Sequence, residues 1–280
     1  MKVMVIGAGQ MGSGIAQVCA QAGYETYLND IAPEFIEKGM KGIEKNLDKL
    51  VQKGKMTEER KAEILACLKA GESLEAAADC DLVIEAAVEN MKIKQDIFAR
   101  LDSICKESTI LATNTSSLPI TEIAAATKRP EKVIGMHFMQ PVPVMTLVEI
   151  IRGIATSDET YKFIEDATKE IGKFPVEVRD VPGFISNRVL QIMINEAIYC
   201  VYEGVATPEG IDEVMKRGMN HPMGPLALAD FIGLDTVLAI MQTMHEGYAD
   251  SKYRPCPLLR QYVKAGWLGR KSGKGFYTYN

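Results

Sequence analysis

The sequence predicts a doubly wound α/β domain, interrupted by a helical hairpin and followed by an all-helical domain. Three observations predict it. Short β-type runs alternate with helical stretches as far as residue 179, a glycine-rich turn joins the first strand to the first helix, and beyond "DVPGF" no convincing strand remains. Alternation of this kind implies a mostly parallel sheet, because parallel neighbours need a crossover between them.

The elements follow in order. "KVMVI" (2–6) is a strand, "GAGQMGSG" opens a helical pattern running through Ala22, and "ETYLN" completes a βαβ unit. Residues 34–69 have helical periodicity, broken at Gly54 and restarted at Thr57, whose hydroxyl precedes Glu58 and Glu59 as an N-cap does. This is a helical hairpin inserted between strands. "DLVIEAA", "TILAT", "KVIGMHF", "TLVEII" and "PVEVR" are further strands, with helices near 92–104, 119–127 and 158–171. Stretches 184–204, 208–218 and 233–247 read as helices, so a boundary near Asp180–Gly183 divides a domain of residues 1–182 from one of 183–280.

Bulk composition excludes several function classes. A net charge of −5 argues against a general nucleic-acid binder, so any anionic ligand must meet local basic groups. The six cysteines form no C-x-x-C pair and keep no company with histidines at ligand spacing. Neither a metal site nor a disulfide framework is expected, and reduced thiols in a cytoplasm are. No apolar run approaches the roughly 20 residues of a membrane span.

Gly7-Ala8-Gly9-Gln10-Met11-Gly12 is G-x-G-x-x-G, and Asp30 stands at the end of the next strand, 23 positions after Gly7. Glycines there let the backbone approach a pyrophosphate at the positive end of a helix, and the carboxylate receives a ribose diol. The domain is therefore of Rossmann type and binds a dinucleotide. Asp30 favours NAD over NADP, since a 2′-phosphate would meet a like charge and no arginine lies in "LNDIAPEF". Asp30 also suits a helix N-cap before Pro33.

Asn114, Ser116 and Ser117 in "TILATNTSSLPI" follow a strand, where ligands of open α/β sheets lie. Either serine also suits the cap of the helix near Pro119. His137 closes "KVIGMHF", and Glu149 is embedded in "MTLVEII", where a carboxylate needs a partner. Each supplies the other's need: a carboxylate orients the imidazole so that its second nitrogen can take a hydroxyl proton, although a purely structural pair has the same spacing. His221 falls in a turn and His245 in an amphipathic helix. Asn187, near the first helix of the second domain, is either an exposed polar residue or a polar group offered to a ligand. Lys38, Lys41, Lys45, Lys49 and Lys53 recur along one helix, with Lys55 beyond and four carboxylates interspersed. They form a solvated face or a docking surface for a phosphate-bearing substrate.

With these residues assembled, the chain resembles the L-3-hydroxyacyl-CoA dehydrogenase family, most closely its bacterial 3-hydroxybutyryl-CoA members. The motifs "GAGQMGSGIAQ", "VIEAAVENMKIK", "TNTSSL", "IGMHF", "PVPVMTLVEI", "VPGFISNR", "HPMGPLALAD" and "GRKSGKGFY" carry the likeness in family order. The resemblance implies an NAD-dependent interconversion of (S)-3-hydroxyacyl-CoA and 3-oxoacyl-CoA, with His137 and Glu149 catalytic and Ser116 and Asn187 on the substrate. It further implies that Glu89, Lys94 and Lys271 lie against the cofactor, that Asn46 and Lys53 contact coenzyme A, and that the helical domain forms a homodimer. Family members usually carry asparagine where this chain has Gln140, in a loop close to the nicotinamide. From the residues alone, a dehydrogenase of free hydroxy acids and a dinucleotide-binding sensory protein are the rival readings.

Overall fold

The computed structural model describes residues 1–279, which divide into two compact units, 1–180 and 181–279. In the first unit β1 (Lys2–Ile6), β2 (Glu25–Asn29), β3 (Leu68–Ala70), β4 (Leu82–Glu85), β5 (Ile110–Thr113), β6 (Val133–Phe138), β7 (Leu147–Arg152) and β8 (Phe174–Arg179) form one sheet. Its order is β3-β2-β1-β4-β5-β6-β7-β8. Every pairing is parallel except β6 with β7. The order reverses between β1 and β4, and such a switch point opens a ligand crevice at the carboxyl ends of the strands.

Side-chain alternation explains how the sheet is covered. Val3, Val5, Leu82, Ile84, Ile134, Met136 and Phe138 share a core with α1 (Gln10–Gln21), α2 (Pro33–Gln52), α3 (Glu58–Cys67) and α6 (Asp158–Glu170). The intervening Met4, Val83, Leu111 and Val133 are also fully buried, as are Phe98 and Leu101 of α4 (Met91–Ile104) and Ile120 and Ile123 of α5 (Ile120–Ala124). Both faces are therefore apolar, as a parallel sheet requires. The hairpin α2–α3 forms as predicted, with Thr57 accepting from the Arg60 N–H at 3.2 Å. The strand β3 is an addition: "CLKA" continues a helical pattern but pairs with β2 instead.

The second unit contains α7 (Ser186–Tyr202), α8 (Pro208–Gly218), α9 (Pro225–Ile232), α10 (Leu234–Tyr248) and α11 (Pro257–Lys264). Ile194, Ile198, Leu226, Val237 and Leu259 make its core. Two buried aspartates tie the segment around Tyr277 to the helices. Asp212 accepts from Leu226 N–H (2.8 Å), Ala227 N–H (2.9 Å) and the Tyr277 hydroxyl (2.8 Å), while Asp230 accepts from Phe276 N–H (3.0 Å) and Tyr277 N–H (2.9 Å). A buried carboxylate is tolerated when its lone pairs are satisfied this fully. No single helix among the described residues is long and apolar enough to cross a membrane.

Candidate active site

The glycine turn between β1 and α1 is shaped by close approach. Gly7 has φ +101°, and a Cβ on it would lie 2.4 Å from the Ala86 carbonyl oxygen; one on Gly12 would lie 1.7 Å from the oxygen of Gly7. A Cβ added at Gly9 would meet nothing within 4 Å, and no side chain caps α1 there. The first N–H groups of the helix are thus presented toward open space, which suits a pyrophosphate. Asp30 follows β2 and accepts from the Ala8 N–H at 2.6 Å and the Ile31 N–H at 2.7 Å. It does not cap α2, whose N-cap is Ala32 with no side-chain bond, because the carboxylate has turned back onto the glycine turn.

A cleft of about 870 Å³ runs from this turn, lined by Gly9, Gln10, Asp30, Ile31, Phe35, Val88 and Pro141–Pro143. Helix α2 contributes Lys38, Lys45, Asn46 and Lys49 from one face, at helical spacing. Lys41 pairs with Glu37 instead, and Lys53 is the C-cap residue, outside the lining. The stripe thus resolves into two groups, and only three of its lysines line the cleft. The dimensions, the open glycine and the terminal carboxylate fit a dinucleotide.

His137 and Glu149 meet because β6 and β7 are antiparallel and in a register that sets them directly opposite. The His137 Nδ1 lies 2.8 Å from Glu149 Oε2, and both residues are buried. Asn114 does not project toward a ligand through its carbonyl oxygen, which accepts the Phe138 N–H at 2.9 Å and ties β5 to the strand end beside His137.

The loop after β5 is organised around Glu89. Its Oε1 accepts from Thr115 Oγ1 (2.6 Å), the Ser116 N–H (2.9 Å), the Ser117 N–H (3.0 Å) and Ser117 Oγ (3.0 Å), with Ser116 Oγ at 3.3 Å. Burial pushes the Glu89 carboxyl up, but Thr115, the nearby Lys94 ammonium, Ser116 and Ser117 outweigh it and hold it below the usual carboxylate range. Neither serine caps α5. Asp180 does so from sixty residues away, accepting from the Ile120 N–H (3.0 Å) and the Thr121 N–H (2.7 Å).

Lys94 is buried, with its ammonium 2.8 and 3.0 Å from the two oxygens of Glu85 and 3.6 Å from Glu89. Glu85 also accepts from the Ala87 N–H at 2.6 Å and from Thr113 Oγ1 at 2.7 Å. Sequence reasoning missed Glu85, Thr113 and Thr115; a carboxylate closing an apolar strand was the available signal. Gln140 is exposed in the loop that lines the cleft. In the second unit, Asn187 lies in the first turn of α7, and Lys271 pairs with Asp235 at 2.5 Å.

Comparisons with known proteins accord with this geometry. Residues 2–181 match the model of the 3-hydroxyacyl-CoA dehydrogenase NAD-binding domain, and residues 183–279 that of the 3-hydroxyacyl-CoA dehydrogenase C-terminal domain. The chain is 63% identical to a probable 3-hydroxybutyryl-CoA dehydrogenase of Bacillus subtilis, over 99% of this chain and 97% of that protein. It is 56% identical to a 3-hydroxybutyryl-CoA dehydrogenase of Bradyrhizobium diazoefficiens, over 99% and 95% respectively. The crystal structure of (S)-3-hydroxybutyryl-CoA dehydrogenase from Ralstonia eutropha superposes with a TM-score of 0.98 at 50% identity, covering 100% of this chain and 99% of that one.

Proposed function

The chain belongs to the 3-hydroxyacyl-CoA dehydrogenase family, with an NAD-binding domain, and from that premise we propose that it interconverts (S)-3-hydroxybutyryl-CoA and acetoacetyl-CoA. The observation that carries the proposal is the cross-strand pair: His137 Nδ1 at 2.8 Å from Glu149 Oε2, at the end of β6 nearest the cleft loop. NAD, held by the glycine turn and Asp30, would supply the hydride chemistry at C3 of the substrate.

The chain's own residues do the rest. The glycine turn and Asp30 hold the dinucleotide. With Nδ1 committed to Glu149, His137 exchanges the hydroxyl proton through Nε2, and Glu149 stabilises the imidazolium that results. Ser116 and Asn187 orient the substrate oxygens, and Glu89, with Lys94 buried beside it, orders the serine loop. Gln140 and Lys271 complete the cofactor contacts. Asn46, with the lysines of α2, receives the coenzyme A portion; Lys53 extends that surface beyond the cleft.

The same reading makes the protein a homodimer through its helical unit, which exposes Val189, Val205, Val214 and Met219. It also places the protein in the cytoplasm, in keeping with six unbridged thiols. Steady-state NADH oxidation with acetoacetyl-CoA and with free acetoacetate tests the proposal. Turnover of the thioester alone is expected. Equal turnover of the free acid would make this a hydroxy-acid enzyme, and turnover of neither would reduce the pair to architecture.

A further inference from the structure

Lys173 is a buried lysine that the reaction leaves unused. It follows the turn ending α6, where its N–H bonds to the Thr168 carbonyl at 3.0 Å, and it is only 9% exposed. Its ammonium donates to the carbonyl oxygens of Val142 (2.6 Å) and Met145 (2.7 Å). Burial draws this ammonium below the ordinary lysine range. Keeping a charge in such a place is costly, and the carbonyls it reaches belong to one loop, residues 139–146, between His137 and Glu149.

That loop is a wall of the cleft. The Pro141 carbonyl turns it, accepting from the N–H groups of Val144 and Met145 at 3.0 Å each. Val142 is 2% exposed and sits on the glycine face of α1: a Cβ added at Gly14 would lie 2.8 Å from Val142 Cβ and 3.5 Å from Pro143 Cδ. Pro141, Val142 and Pro143 share the cleft lining with Gly9 and Gln10. We propose that Lys173 is a positioning residue for the dinucleotide, its ammonium clamping the Val142 and Met145 carbonyls so that Val142 seats on Gly14 and the loop holds the cleft wall at its working distance from α1. An ammonium suits the task because three donors on one atom can gather carbonyls that diverge along a loop, which an apolar side chain of the same length cannot do.

The inference rests on assigning the cleft to the dinucleotide, and the experiment separates the two. NADH and 5′-AMP are titrated by fluorescence and competition into the unmodified protein and into Lys173→Met, Lys173→Arg, Gly14→Ala and Asp30→Ala, with KM for NADH and kcat measured alongside. Lys173→Met should raise Kd and KM for NADH roughly tenfold, since small misplacements of a site wall are costly. It should leave 5′-AMP binding and kcat at saturating NADH within about threefold, because the Asp30 bonds and the antiparallel β6–β7 pairing that sets His137 opposite Glu149 are made by other residues. Lys173→Arg should recover most of the loss. Gly14→Ala, which displaces Val142 while Lys173 remains, should reproduce the same signature and decides the matter if Lys173→Met does not fold. Unchanged NADH affinity in both Lys173→Met and Gly14→Ala would overturn the inference, as would a parallel loss of 5′-AMP binding, which marks general loosening. Indifference of NADH binding to Asp30→Ala would instead overturn the assignment of the cleft.

Discussion

Two buried carboxylates close the sheet near its ligand edge, Glu85 on β4 and Glu149 on β7, and their partners differ in kind. Glu85 accepts from a backbone N–H, a threonine hydroxyl and the Lys94 side chain. Glu149 faces a histidine, the side chain that most readily exchanges protons near neutral pH. The first pair is part of the scaffold, and Lys94 also lies near Glu89, which orders the loop that carries Ser116. In the reaction proposed above, the second exchanges a proton in each turnover. Burial alone therefore does not distinguish the two carboxylates; the partner's chemistry does.

The comparison is broken most severely at Glu85. Glu85→Ala strips a buried ammonium of its partner, a loss worth ~3–5 kcal/mol, and calorimetry should show the thermal transition falling by on the order of 10 °C. A transition unmoved by more than a degree or two would mean the pair carries no such weight. Glu149→Gln keeps the shape of its site, so the same scan should shift far less while kcat falls by roughly 10²-fold or more, the cost of an amide that neither stabilises imidazolium nor fixes the tautomer. If stability and kcat fell together in both variants, the distinction between scaffold and reacting pair would be lost.

Asp30 and the lysines of α2 sharpen the contrast by being exposed to ligand. Asp30→Ser should weaken the preference for NADH over NADPH by about tenfold, since it removes one like charge facing a 2′-phosphate. Equal kcat/KM for the two cofactors in the unmodified protein would contradict the role of Asp30. The smallest effect belongs to the lysines. Lys49→Glu should raise KM for acetoacetyl-CoA by about threefold at low salt with a smaller effect on KM for NADH, and Lys53→Glu by less, because of these two only Lys49 lines the cleft. Both defects should shrink as ionic strength approaches 0.1 M, where the Debye length is ~10 Å. Kinetics indifferent to both reversals would make the stripe a solvated face.

The legible parts of the molecule were those whose signal is local. A glycine turn between a strand and a helix announces itself, and a carboxylate within "LVEII" demands a partner that a histidine on a neighbouring strand can supply. Elements held by distant residues were not legible. The cap of α5 comes from Asp180, so the serines beside it were free to be claimed by Glu89, and no spacing rule connects those positions. Helices α9 and α11 span eight residues each, too short for an apolar period to establish itself. Glu85 was overlooked for a similar reason: its partner lies nine residues on, across a turn and into a helix, and the pairing exists only once β4 and α4 are packed.

In the proposed reaction His137 moves the substrate proton while the rest of the site binds and orients. Single-turnover oxidation of NADH by acetoacetyl-CoA, with His137→Gln already saturated in NADH, tests it most directly. The rate should fall by ~10²–10⁴-fold, the range expected for loss of one general acid–base group, with NADH affinity within about twofold of the unmodified protein. A near-normal rate in that variant, with NADH bound as before, would contradict it.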